Sequence, residues 1–397
     1  AMVSPQNLTE VRAIMVEFAD RTGLQNDASE PGRYLWTDAY AVCNFLSLYE
    51  ATRDESFLDL ALRLIDQVHE TLGRHRHDDA RSGWISGLDE AQGRLHPTAG
   101  GLRIGKRLNE RPAGQTQNDR EEWDRDGQYF HYLTKWMHAL ARTAVVTSDA
   151  GFLRWALELA QAAHSAFVYT ASDGSTLRMY WKMSIDLSRP QVASMGHHDP
   201  LDALVTYSEL DHCRATRFSA DDLPALPAEV SDATTLCAGK SWVTEDPLGL
   251  GGMLADIDRI SRLQHAGFAF PKDVLGQLLA DTRSGLSVLA GGYRFDAPPE
   301  QRLAFRELGL SIGLHALTGL HQRCLDKPET LDGDAATDLE ALMRFVPVAE
   351  SIESFWLNPT NQSAATWRDH LDINSVMLAT SLSLIHISEP TRRRLES

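Results

Sequence analysis

Acids, aromatics, a glycine and two histidines are compressed into Glu121–His138, which reads EEWDRDGQYFHYLTKWMH. Asp124 and Asp126 stand two residues apart, flanked by Trp123 and Tyr129 and followed by His131 and Tyr132. Two carboxyl groups brought close together can divide the work of donating a proton and accepting one. Flat rings beside them offer large apolar faces with polar edges. A helix start built only for packing needs a cap and an apolar stripe. This one holds more, and it is expected to face a carbohydrate-sized cavity, with Asp124 and Asp126 as the first catalytic candidates.

Comparable groups recur at other helix starts: Trp36 and Asp38; His197, His198, Asp199 and Asp202; Arg302, Phe305, Arg306 and Glu307; Trp367, Arg368, Asp369, Asp372 and Asn374. Each has a plainer reading. An aspartate at a helix start is most often a cap, which covers Asp38, Asp199 and Asp369. Trp136, Met137 and Trp155 at helical spacing read as core, and His138, His164 and His315 as ordinary helix residues. A neighbouring Arg and Glu, as at Arg306 and Glu307, are usually structural. His75, His77, Asp78 and Asp79, with His197-His198-Asp199 elsewhere, match no ligand spacing. The Arg74–Asp79 run reads as a solvated loop, so neither a metal nor any other cofactor is expected. Gly100-Gly101-Leu102-Arg103-Ile104-Gly105-Lys106 fits the skeleton of a phosphate loop, but Arg107 stands where a Ser or Thr would meet magnesium, and no buried strand precedes it. Arg103 and Lys106 could still reach over a nearby cavity.

For these groups to act together, the elements that carry them must converge. Apolar residues recur at three- and four-residue spacing through most of the chain. This spacing predicts helices at about Leu8–Leu24, Thr37–Ala51, Glu55–Leu72, Asp126–Val146, Gly151–Phe167, Pro200–Arg214, Ala220–Ala238, Gly252–Ala266, Pro271–Ala290, Pro299–Leu325, Ala335–Phe355 and Trp367–Ser383. A polar loop with eight glycines spans Gly73–Asp119, with an extended piece at Gly83–Ser86. One strand candidate, Arg178–Asp186, is entered by the turn Ser172-Asp173-Gly174-Ser175. Thr52–Leu62 aligns with Thr147–Leu157, sharing Thr, Asp, Phe-Leu and Ala-Leu positions, as a repeated helical hairpin should. No Pro-, Gly- or Ser-rich linker separates the pairs. Twelve helices in six hairpins, joined by loops of very unequal length, are expected to close as an all-α (α/α)6 toroid with a small β-hairpin at one end. Residues 1–383 would be one domain. The second, fourth, sixth, eighth, tenth and twelfth helices would line the inside.

The net charge of −17 argues against nucleic-acid or anionic-membrane partners, which are bound through basic patches. Cys43, Cys213, Cys237 and Cys324 are far apart and read as reduced cytosolic thiols. No apolar run is long enough for a membrane span and no signal pattern opens the chain, so a cytoplasmic location is expected. Ala1-Met2 reads as a cloning remnant. Residues 384–397, with Pro390 and an arginine run, read as a non-native or disordered tail.

The helix count, the hairpin match and the acid- and aromatic-rich inner-helix starts resemble the six-hairpin glycosidase superfamily and the related N-acylglucosamine 2-epimerase group. The resemblance covers nearly the whole chain and is architectural. It implies a funnel where inner-helix N-termini and long loops bind sugars. On that footing the chain is expected to be a glycoside hydrolase acting on a small-molecule or oligosaccharide substrate. Asp124 and Asp126 would face Glu307 or Asp199 as the opposing carboxylate. Trp36, Trp123, Tyr129, Trp181 and Trp367 would stack on sugar rings. Arg103, Lys106, His198 and Arg306 would hold polar or anionic groups, with Asp38, His131, Lys182 and Asp369 also lining the opening. Two other readings stay open: a cofactor-free sugar epimerase or isomerase using His131 or His198, and a non-enzymatic toroid that binds a glycan or a protein.

Overall fold

Helices of two kinds alternate along the chain, and burial separates them. The computed structural model describes residues 5–25, 32–218, 222–271, 273–327 and 331–383; the C-terminal tail expected from position 384 lies outside them. In chain order the helices are α1 (Pro5–Arg21), α2 (Leu35–Thr52), α3 (Glu55–Leu72), α4 (Glu90–Leu95), α5 (Asp119–Asp124) and α6 (Phe130–Thr147). Then follow α7 (Ala150–Phe167), α8 (Asp199–Arg217), α9 (Pro227–Cys237), α10 (Pro247–His265), α11 (Val274–Gly292) and α12 (Ala304–Asp326). The last are α13 (Gly333–Met343), α14 (Val346–Leu357), α15 (Pro359–Gln362), α16 (Ala365–Arg368) and α17 (Leu371–Ser383). Outward helices such as α3 bury one stripe: Phe57, Ala61, Leu64, Ile65, Val68 and Leu72. Inward helices such as α2, α8, α12 and α17 are buried nearly all round, polar residues included.

The chain folds as two compact units. One comprises Ala19–Tyr49 and Asp54–Lys240; the other comprises the described residues of Ala1–Phe18, Glu50–Arg53 and Ser241–Ser397. In the first, α6 packs on α7 and α8, and α8 on α9. His138 on α6 bonds Glu209 on α8 at 2.6 Å, and His164 on α7 bonds Asp232 on α9 at 3.0 Å. These histidines therefore tie helices together. The hairpin repeat is real in geometry as well as sequence. Arg53 and Ser148 take left-handed φ values of 59° and 57°, and Asp54 and Asp149 then cap the next helix through Ser56 N and Gly151 N.

Among the described residues, five short strands complete this unit: β1 (Gln128–Tyr129), β2 (Val168–Thr170), β3 (Leu177–Met179), β4 (Lys182–Met183) and β5 (Pro190–Val192). β2 and β3 form the expected hairpin, its turn held by Asp173 accepting from Ser175 N and Thr176 N. The strand expected over Arg178–Asp186 is divided: β3 stays in that hairpin, while β4 pairs with β1 and β5.

In the second unit α12 is central, packing on α10, α14 and α17. Contact with α10 is backbone to backbone. A methyl group added at Gly251 would lie 1.9 Å from the Gly309 carbonyl oxygen, and one at Gly313 would lie 2.4 Å from that of Gly251. The single helix expected over Ala335–Phe355 is two, α13 and α14. Pro347 lacks the N–H that would continue the ladder, and its ring crowds the carbonyl four residues back. Likewise Trp367 ends up in the short α16, separate from α17.

The glycine contact makes a matched prediction. Gly251→Ala should lower stability by about 1–3 kcal/mol because the helices must move apart. Gly252→Ala, where a methyl group meets nothing within 4 Å, should raise it by about 0.5–1 kcal/mol. Urea unfolding of both variants checks the pair.

Candidate active site

The entrance to α6 is organised by a carboxylate that water does not reach. Asp126 is fully buried. Its Oδ2 accepts from Arg103 Nη1 at 2.6 Å and Arg76 Nη1 at 3.1 Å. Its Oδ1 accepts from the amides of Gly105 at 3.0 Å and Gly127 at 3.1 Å. Four donors fill the acceptor positions of a carboxylate, so Asp126 is a structural hub with no lone pair left for a substrate. Arg103 is engaged throughout: besides Asp126 it donates to the carbonyls of Thr71 at 2.6 Å and Arg74 at 2.7 Å, closing the end of α3. Lys182, fully buried, donates to Glu122 O, Glu122 Oε1 and Arg125 O at 2.8–2.9 Å, tying β4 to the end of α5. Asp124 ends α5, is exposed, and lies 3.6 Å from Arg107. α6 itself starts only at Phe130, because Asp126–Tyr129 stays extended to make these contacts and β1.

Around this hub the rings gather. Trp181 stacks on Tyr129 (centroids 5.4 Å apart), and Tyr129 stacks on His131 (5.5 Å). Trp36 meets His131, Tyr132 and Tyr40 at 6.0, 5.4 and 5.2 Å. Tyr34 and Tyr132 share a hydroxyl–hydroxyl hydrogen bond of 2.7 Å. Burial pushes the Tyr34 phenol up to about 12 and that of Tyr132 well above the usual range, so both stay neutral. Lys106 sits with its ammonium 4.6 Å from the Trp123 ring centroid and 5.5 Å from that of Tyr34.

A group of titratable side chains stands beside this cluster, at the start of α8. His131 Nδ1 is 3.8 Å from Asp199 Oδ1. Asp199 is 3 % exposed, and its Oδ2 has no hydrogen-bond partner among the described residues. Burial, reinforced by the charge of Asp202, raises its carboxyl well above the ordinary range, with Lys135 and Lys240 opposing. Asp202, one turn along, is ion-paired to Lys135 at 3.4 Å. Burial lowers His131 to about 3, so the ring is neutral. The buried indole N–H of Trp36 likewise has no acceptor among the described residues. A buried carboxyl raised above its ordinary range and a neutral imidazole thus stand 3.8 Å apart beside stacked rings, with an ion-paired aspartate one turn along.

Other candidates fall elsewhere. Asp38 is buried, accepting from Tyr34 N at 3.0 Å and Arg33 Nη1 at 3.4 Å, so it shapes the start of α2. His198 is the N-cap residue of α8, its ring against His197. Arg306, Glu307, Trp367 and Asp369 belong to the second unit. There Glu307 is fully buried and accepts from Arg302 Nε and Nη2, Tyr293 Oη and Trp356 Nε1 at 2.7–2.8 Å, which fills it as Asp126 is filled. Trp367 is stacked in the core on Trp356, Arg306 pairs with Asp246 at 2.5 Å, and Asp369 is exposed at the end of α16. Arg76, expected in a solvated run, has a side chain only 9 % exposed and works inside the hub. Sequence reading passed over Tyr34 and Lys135 as well. Tyr34 had the signal of preceding an aromatic helix start, and Lys135 that of standing one turn beyond His131.

No family model matches the sequence, and no curated protein matches it. Solved structures do. The family 76 α-1,6-mannanase of Salegentibacter sp. is 12% identical, covers 96% of this chain and 98% of its own, and superposes with a TM-score of 0.52. A family 76 α-mannanase of Bacteroides thetaiotaomicron is 8% identical over 96% and 95%, with a TM-score of 0.53. A cellobiose 2-epimerase of Spirochaeta thermophila is 12% identical over 93% and 97%, at 0.47. An inactive variant of the Salegentibacter enzyme, with two consecutive aspartates replaced, is in complex with α-1,6-mannotetrose. The chain therefore has the six-hairpin, (α/α)6-barrel fold that these carbohydrate-processing enzymes share. No helix of the described residues is long and apolar enough to cross a membrane.

If Asp126 is a hub, Asp126→Asn should cost about 3–5 kcal/mol, because it leaves Arg103 and Arg76 buried opposite a neutral group. Amide exchange should show the loss first at residues 101–105 and 126–128. An Asp126→Asn protein with unchanged stability would contradict the assignment.

Proposed function

We propose that the protein is a carbohydrate-active enzyme that hydrolyses a glycosidic bond over the Trp36–Tyr129–Trp181 rings, with Asp199 donating the proton to the leaving oxygen. One observation carries this: on a single turn of α8, Asp199 is buried with one carboxyl oxygen lacking a donor among the described residues, whereas Asp202 is ion-paired to Lys135 at 3.4 Å. That is the arrangement by which two carboxyl groups take the roles of acid and of base or nucleophile at neutral pH. Positions three apart on a helix are neighbours with β-carbons about 5–6 Å apart. That an (α/α)6 neighbour is inactivated by replacing two aspartates close in sequence supports reading the pair from one segment. Asp124 and Asp126 do not form the pair, since one is exposed beside Arg107 and the other has four donors.

A second reading has its own observation. His131 is neutral and 3.8 Å from Asp199, so imidazole and carboxyl could exchange a proton at one sugar carbon, as isomerisation or epimerisation requires.

The test begins with release of reducing ends from α-1,6-linked manno-oligosaccharides and other linkages, compared with sugar isomerisation in deuterium oxide. Asp199→Asn should reduce turnover by about 10²–10⁴-fold while the oligosaccharide still binds. The sign of the pH effect follows from the raised carboxyl. Activity needs its protonated form. It should therefore persist above the ordinary aspartate value of about 4 and fall only as pH rises through the elevated one. Asp202→Asn should cost a similar factor. Unchanged turnover in Asp199→Asn would sink the hydrolytic assignment. Deuterium incorporation that depends on His131 would install the isomerase reading in its place.

A further inference from the structure

Among the described cations around the Asp126 hub, Lys106 is half-buried yet makes no ion pair. Arg76 and Arg103 hold Asp126, Arg111 and Lys182 hold Glu122, Arg125 holds Glu121, Arg107 meets Asp124, and Lys135 meets Asp202. The Lys106 ammonium has neither ion pair nor hydrogen bond among the described residues, although its side chain is half-buried. The acids that face it are occupied: Asp126 has four donors, and Asp124 has Arg107. An unpaired lysine at a surface normally extends its ammonium into water. Here it is held between Tyr34 and Trp123, and Trp123 is 55 % exposed. A ring open to solvent and a desolvated ammonium are two walls of a place for something else.

We infer that Lys106 is an anion-binding position of the sugar site, and that the sugar it receives carries a carboxylate, as a uronic acid does. The inference rests on the proposed sugar-binding reading of the adjacent aromatic cluster. Its position is fixed by glycines. A methyl group at Gly101 would lie 2.0 Å from Gln128 Oε1, and one at Gly105 would lie 2.3 Å from the Arg33 carbonyl oxygen. Those close approaches, rather than a phosphate, account for the glycines of this loop. Its amides are already engaged from Gly101 to Gly105, with Thr98 O, Gln128 Oε1, Leu72 O, Gly127 O and Asp126 Oδ1. A phosphate is commonly cradled by several such N–H groups. A lone ammonium beside two rings matches a carboxylate monoanion instead. In a chain of net charge −17, a sugar acid meets general repulsion, so a local cation decides whether it is accepted. Burial, with help from the charge of Lys182 and against those of Asp124 and Asp126, lowers the ammonium to about 8; a bound carboxylate would supply the missing compensation.

Calorimetry with D-glucuronate, D-galacturonate and D-mannuronate against glucose, galactose and mannose tests this on the whole protein. One uronate should bind at least about tenfold tighter than its neutral sugar, the gain expected of a charge-assisted hydrogen bond. Lys106→Met should remove that preference while leaving neutral-sugar binding in place, and Lys106→Arg should keep part of it. The preference should fade as pH rises through about 8. Neutral sugars bound without a uronate preference, a preference that survives Lys106→Met, or tighter binding of glucose 6-phosphate than of glucuronate would each overturn the carboxylate position alone. Binding of none of these sugars would overturn the sugar-site reading with it.

Discussion

The buried charge of Asp126 is the constraint on which the rest of the site depends. A carboxylate out of water is costly unless donors surround it, and here the four donors come from separate pieces of chain: the loop after α3, the glycine loop, and Gly127. Satisfying one charge therefore fixes the end of α3, the course of residues 101–107 and the approach to α6 together. Arg103 extends the effect by closing the carbonyls at the end of α3, and Lys182 repeats it on α5. Such ion pairs add little net stability over apolar packing. What they supply is position, and the aromatic rings of Tyr129, Tyr132 and Trp36 are placed by backbone that these contacts hold.

The same logic separates two kinds of buried acid. Asp126 and Glu307 are each surrounded by four donors, two or more of them cationic. Asp199 has one oxygen with no donor among the described residues, a like charge one turn away and an uncharged imidazole at 3.8 Å. Asp199 shares its residue type with an ordinary cap and stands one position further into the helix, after His198. The surroundings make the difference, since donors favour the charged form and desolvation the neutral one.

That distinction marks how far the sequence could be read. The helices were legible because their apolar spacing is local, and the hairpin repeat because its cap and left-handed residue are local too. The break at Pro347 was also written in one residue but was outweighed by the surrounding periodicity. Site roles were less legible. The density of acids at Glu121–Asp126 has a structural reason: Asp126 is there to be surrounded, and its partners Arg76 and Arg103 lie 50 and 23 residues away. Nothing local to Asp126 announces them. Arg76 looked solvated for the same reason, as neighbours along the chain are all that a sequence window contains.

Lys106 and Arg103 show the point within four residues. Both are basic, both follow glycines, and either could be drawn to an anion. Arg103 presents a planar fork whose geometry suits fixed carbonyls and a carboxylate, and it is consumed by Thr71, Arg74 and Asp126. Lys106, a point charge on a flexible stem, can be carried past the same hub to rest against rings rather than acids. The frame thus uses the arginine to fix the loop and leaves the lysine at its edge. Among the described residues, Lys106 keeps an ammonium that rests on aromatic faces and makes no ion pair, while Arg103 is spent on the frame.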